Sequence, residues 1–298
     1  MGLFSKFLKG NDKPEPTQPY EKNETIQKAQ AEMDRQESIS FMLLYKSIPK
    51  LNEESLNKRI SEALGDALSI DMFYTDEKSM MLSGNYLGNK IMVAGLYFTY
   101  PQQVLDQVLP VCHFSADDKS KFKHSKAHVL FSINTGNTPP HVLYDALMQL
   151  VNAFVAEDGN AIGLVIESAM TATILASLPK IAEERQEMLT EKSMPFWSWF
   201  SFTGGFVKYI VDSNTIWYVT KGNHQFGLPE LAYKGSATEG NDTLMTFKAL
   251  FSYMYGYGAK LAAGQTAEIG ETNLRFTELT EYADLFKGKY GTLVVSKT

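Results

Sequence analysis

From residue 38 onward the chain alternates between short apolar runs and amphipathic stretches, each bounded by glycine, proline or asparagine. Ile39 to Tyr45 is an apolar run of strand length, stopped by Pro49. Asn52 is placed to cap the helix that follows, where Leu56, Ile60 and Leu64 recur at i, i+4 and i+8 and Gly65 ends the pattern. Met80 to Tyr100 reads as two strands around the turn-rich Gly84 to Asn89, a hairpin. Pro101 opens a short helix carrying Val104, Leu105 and Val108. Alternation in Lys126 to Asn134 predicts a further strand. Thr138 is a candidate N-cap with Pro139 at the first helical position. Pro140 to Glu157 then carries the stripe Leu143, Leu147, Leu150, Val151 and Phe154. Ala161 to Ile166 predicts a buried strand, and Ala169 to Glu191 a last helix kinked near Pro179.

The second half has a different texture. Phe196 to Phe202 has strand composition. Phe206 to Val211 and Thr215 to Thr220 predict a hairpin around Asp212 to Asn214. Glu230 to Lys234 is a short strand. A helix from Asp242 or Thr243 carries Leu244, Phe247, Phe251, Met254 and Tyr255 and ends at Gly256 and Gly258. Thr266 to Gly270, Asn273 to Leu279 and Gly291 to Ser296 read as closing strands. Strands mixed with helices and hairpins predict an α+β fold of two mixed sheet-and-helix halves with antiparallel hairpins, preceded by a flexible N-terminal tail. The expected units are a tail over 1–37, an N-terminal domain over 38–192 and a C-terminal domain over 193–298. At 298 residues the chain is near the size, about 250–300, at which single cores give way to two domains.

The tail is polar and holds Pro14, Pro16 and Pro19, the composition of an extended linker. Leu3, Phe4, Phe7 and Leu8 fall on one helical face, which offers at most a weak membrane or partner tether. Lys6 breaks the myristoylation pattern despite Gly2. No stretch reaches about 18 consecutive apolar residues and no signal peptide is recognisable, so a cytoplasmic location is expected. The net charge of −6 argues against a double-stranded nucleic acid partner, which demands a basic face. The single cysteine, Cys112, excludes an internal disulfide and a multi-cysteine zinc site. Neither glycine-rich phosphate-binding pattern occurs, so no cofactor is expected.

Candidate chemistry is sparse. His224 and Glu230 flank a loop stiffened by Gly227 and Pro229 and form the best acid–base pair that spacing offers. His113, His124 and His128, with Cys112 nearby, are the densest group of metal-ligand types. Their spacing fits no standard template, and no metal is expected. Lys119, Lys121, Lys123 and Lys126 form a basic run that reads as a solvated loop. Trp197, Trp199 and Trp217 are candidate contact residues, since tryptophan dominates binding hot spots, although such residues are equally the stuff of cores.

The segment His224-Gln225-Phe226-Gly227-Leu228-Pro229-Glu230-Leu231 resembles the F-G-L-P-E segment of the bacterial domain-of-unknown-function family 4261. Around it, a strand reaching Lys221-Gly222, a helix with Tyr253 and Gly258, and a Gly264-Gln265-Thr266 turn before Ile269-Gly270 keep the family's order. Gln265 replaces the acidic residue of the family's G-D-T-I-G, and Ala267-Glu268 are additional. His124-Ser125-Lys126-Ala127-His128 is similar to the family's H-K-A-H with Ser125 inserted. The resemblance spans roughly 39–298 and implies that the C-terminal half is the namesake domain. The family has no established activity. The expected function is a non-enzymatic binding or protein-interaction module with a protein partner; the alternative is an enzyme or small-ligand binder that uses the His224/Glu230 loop between the two halves.

Overall fold

In the computed structural model the described residues are 38–77, 79–112, 114–177, 205–212 and 215–298. The tail, the 192/193 boundary and the strand expected over Phe196 to Phe202, with Trp197 and Trp199, lie outside them.

The first half is built on a seven-stranded antiparallel sheet of β1 (Ser38–Tyr45), β2 (Leu68–Thr75), β3 (Ser79–Tyr86), β4 (Asn89–Leu96), β5 (Ala127–Asn134), β6 (Ala161–Ile166) and β7 (Thr171–Ile174), in the order β2-β3-β4-β5-β1-β6-β7. β1 is apolar at six of its eight positions because it is central, paired with β5 on one side and β6 on the other. Its Ile39, Phe41 and Leu43 enter one apolar layer while Leu44 enters the layer on the opposite face. β5 is buried along its whole length for the same reason, so the expected alternation gives way to burial on both faces.

Helix α1 (Glu53–Leu64) starts where Asn52 accepts a hydrogen bond from the Ser55 amide at 2.9 Å, and buries Leu56, Ile60 and Leu64. Helix α2 (Gln102–Val108) follows Pro101. Helix α3 (Ala116–Lys123) stands where a loop was expected for the lysine run: Ser115 caps it, and Lys121 pairs with Asp117 and Asp118. Helix α4 (Pro140–Glu157) buries the whole predicted stripe, but its cap is Pro139. Thr138 instead accepts a hydrogen bond from the Asn89 amide group at 2.7 Å. The helix expected from Ala169 is overturned at its start. Met170 adopts φ 47° and turns the chain back, and Thr171–Ile174 become β7 on the open edge of β6. Threonine and isoleucine suit that edge better than a helix interior.

The second half has six strands, β8 (Gly205–Ile210), β9 (Ile216–Lys221), β10 (Glu230–Gly235), β11 (Thr266–Ile269), β12 (Thr272–Glu278) and β13 (Thr292–Lys297), ordered β11-β12-β13-β10-β9-β8. All pairs are antiparallel except β10 with β13. Helix α5 (Gly240–Phe251) begins earlier than expected, behind a capping box of Ser236 and Glu239, and runs into a π-helical turn, Ser252–Gly256. A short α6 (Ala283–Phe286) closes the opposite face.

One apolar cluster draws side chains from both halves. Tyr144 of α4 stacks on Phe226 at 5.3 Å with the rings nearly parallel, and His141 meets the Tyr255 hydroxyl at 2.9 Å. Among the described residues, no helix is long and apolar enough to cross a membrane.

Candidate functional site

Glu230 opens β10 and is 1% exposed. Its Oε2 accepts from the Thr220 hydroxyl at 2.7 Å and the Asn223 amide at 3.4 Å. Its Oε1 accepts from the amides of Gly222 at 3.1 Å and His224 at 3.3 Å, and from His224 Nδ1 at 3.1 Å. The local sequence explains the cage. Gly222 at φ 100° reverses the chain, so successive N–H groups of the 3₁₀ turn Asn223–Phe226 converge on one point. Five donors occupy both oxygens of a group that only accepts, so the buried charge is compensated where it lies.

The predicted pair is therefore brought together. Because Glu230 accepts, His224 Nδ1 carries the proton, and Nε2 faces the Gln225 side-chain amide at 3.3 Å. That partner is an amide, not a hydroxyl or thiol, so the imidazole polarises no nucleophile. Beside the loop, aromatic rings fill the space between the halves. Phe226, two residues on, stacks on Tyr144 and meets Phe251 and Tyr255 edge-on, each at 5.0 Å. What this arrangement does is fasten the loop to its own strand and key it into the N-terminal half.

The remaining candidates separate. Trp217, a candidate contact residue, is 3% exposed: it packs on Phe286 at 5.3 Å under α6, with the Lys234 ammonium 5.8 Å from its ring. Its position in a central strand turns it inward, so it presents no contact face. His124 and His128 do not share a face, because the strand starts only at Ala127. His124 ends α3 and gives its Nδ1–H to the Ser120 carbonyl at 2.8 Å. His128 gives its Nδ1–H to the Phe98 carbonyl at 3.0 Å and lies edge-on to Phe98 and Tyr100. Burial pushes its pKa down to about 4 and keeps it neutral. His113 lies outside the described residues. Among those described, no group of three histidine, cysteine, aspartate or glutamate side chains is placed to hold a metal. Cys112 donates to the Val108 carbonyl at 3.3 Å, and burial pushes its thiol up, away from the reactive thiolate.

A second place was not anticipated. A groove of about 680 Å³ runs between the π turn and β11. Leu261, Ala267 and Ile269 give it an apolar floor, with Leu250 buried beneath. Tyr253 and Tyr257 stand on its rim, 47% and 68% exposed, with Lys260 beside them. The π turn produces this division: Tyr255 goes inward to His141 while Tyr253 and Tyr257, in tilted contact at 6.4 Å, go outward. Among the described residues, the opposite wall is the outermost strand of its sheet, paired with β12 alone. Gly264 at φ 88° leads into it through a bulge: the Gly264 amide donates to the Phe276 carbonyl at 2.8 Å, and the Phe276 amide donates to the Gln265 carbonyl at 3.0 Å. The signal available in the sequence was Tyr253-Met254-Tyr255-Gly256-Tyr257-Gly258, three tyrosines where an apolar stripe runs out into two glycines.

Compared with known proteins, the chain matches no family model, no curated protein and no solved structure. The resemblance of the His224–Leu231 segment accordingly rests on its motifs alone.

Proposed function

We propose that this protein is a non-enzymatic interaction module that binds a protein partner through the groove between the π turn and β11. One observation carries the reading: two exposed tyrosines flank an apolar floor beside a sheet edge that no described strand pairs. Tyrosine supplies large contact area with a polar tip and is enriched in hot spots, and an open edge supplies main-chain hydrogen bonds. The −6 net charge supports a protein rather than duplex nucleic acid as partner. The motifs around Phe226 support grouping the chain with family 4261, and they carry architecture rather than chemistry.

Proton-transfer chemistry at His224 is the competing reading, and the 3.1 Å contact with Glu230 favours it. The full occupancy of the carboxylate and the amide partner of Nε2 oppose it. Selection of a random linear peptide library against the whole chain separates the two. Peptides selected on the native protein should lose tenfold or more in affinity for Tyr253→Ala with Tyr257→Ala, and none for His224→Asn. Selection of no peptide, or loss confined to His224→Asn, overturns the proposal.

A further inference from the structure

We infer that the groove takes its partner as an added β-strand, an extended peptide in which two apolar residues flank a basic one. This rests on the interaction reading above and names the partner's chemistry.

The backbone of β11 sets the geometry. Gln265 accepts from the Phe276 amide across the bulge. From there the antiparallel register is Thr266 with Arg275, Ala267 with Leu274, Glu268 with Asn273 and Ile269 with Thr272. Hydrogen-bonded pairs alternate with non-bonded ones in such a ladder. Ala267 and Ile269 therefore turn their N–H and C=O toward β12, and Thr266 and Glu268 turn theirs to the open edge. Two donors and two acceptors, spaced two residues apart, are what an incoming strand pairs with.

The side chains set the sequence preference. Ala267 and Ile269 lie on the inner face, in line with buried Leu274 and Phe276, and pack on the core. Alternation puts Thr266 and Glu268 on the outer face, where Glu268 is exposed. An added strand continues both faces. Its inward residues, at i and i+2, reach the floor under Tyr253 and Tyr257. The residue between them stands on the outer face beside Glu268, and a lysine or arginine there forms the favourable cross-strand pair. Lys260 stands with the tyrosines on the helix-side rim, across the groove from that row.

Synthetic peptides from the library selection, titrated onto the full chain by fluorescence anisotropy, test the inference. The selected pool should be enriched in an apolar-basic-apolar triplet. N-methylation of the peptide amides should weaken binding tenfold or more at alternate residues and leave the intervening ones unaffected. Glu268→Lys, an exposed change that spares the fold, should weaken triplet peptides about fivefold, and a basic-to-acidic change in the peptide should restore binding. Glu268→Pro, which removes an outward N–H but no β12 hydrogen bond, should abolish it, with the thermal midpoint as the control for folding. Peptides that need Tyr253 and Tyr257 but ignore N-methylation and Glu268→Lys would sink strand addition while leaving the interaction reading standing. Selection of no peptide at all would remove both. A dimer in sedimentation that Glu268→Pro dissociates and peptides do not would make the occupant a second copy, and the inference wrong.

Discussion

Removing the Phe226 ring should uncouple the two halves. Phe226 is 7% exposed and its ring meets three others, Tyr144 at 5.3 Å and Phe251 and Tyr255 at 5.0 Å. Truncating a buried phenylalanine to alanine costs about 3–5 kcal/mol through lost transfer energy and the cavity left behind. The site cannot collapse easily. The Phe226 backbone is tied to Glu230 through the turn that begins at Gly222, and Tyr144 is fixed on the 18-residue helix α4. A value of about 4 kcal/mol follows, and at about 2–4 °C per kcal/mol for a body of this size the midpoint should fall by about 8–16 °C. Differential scanning calorimetry is the assay. The native chain, with its shared core, should melt in one transition. Phe226→Ala should melt earlier and in two, and Phe226→Leu should fall between them with one. A shift under about 2 °C with a single transition would refute the claim that this ring couples the halves.

Glu230→Gln should destabilise by about 3 kcal/mol in urea titration, because an amide offers one acceptor oxygen to five donors and strands at least two of them; unchanged stability would mean the cage is not an anchor. His128, held near 4 in the fold against an ordinary 6.5, is protonated first in the unfolded chain. Stability is therefore complete above pH 6.5 and should fall by about 3 kcal/mol toward pH 4, a slope that denaturation of His128→Gln at a series of pH values should not show. Glu167 has the opposite sign: burial raises its pKa above the ordinary 4.5, with the Tyr100 hydrogen bond pulling the other way, so the fold holds this proton more tightly than the unfolded chain. Its stabilisation is present below pH 4.5 and lost as pH rises through the raised value, and Glu167→Gln, which still accepts from Tyr100, should be the more stable protein at pH 7 in the same titration.

Elements whose cause is local were legible. Asn52 with its i, i+4 stripe carries both cap and period, and α4 carries its period in the Leu143–Phe154 stripe although the expected Thr138 cap is not used. α3 was not, because its eight residues bury one side chain, Phe122; the Ser115 cap and the acidic first turn make it a helix, not a stripe. β7 was missed because Thr171–Ile174 become a strand only when the edge of β6 is there to receive them. β2 was missed because an edge strand half-open to water shows no continuous apolar run. At the candidate sites, spacing alone joined His224 to Glu230. It did not reveal the cage, since three of the five donors are main-chain amides that every residue possesses. The groove was hidden for a related reason: one wall is backbone, and the other depends on which way a π turn throws its tyrosines.

The position of β13 has a consequence for the order in which the molecule is assembled. It is central in its sheet, with β10 on one side and β12 on the other, yet it comes from residues 292–297. During synthesis the seven-stranded sheet and α4 emerge first, then the β8–β10 meander, then the β11–β12 hairpin. Until β13 follows, the hairpin has no strand through which to join β10, and two sticky edges face the solvent at once. A chain lacking residues 292–297 would thus keep most of its helices and strands but have no strand to hold the β11–β12 hairpin beside β10, so the groove wall that β11 supplies depends on a strand made after it.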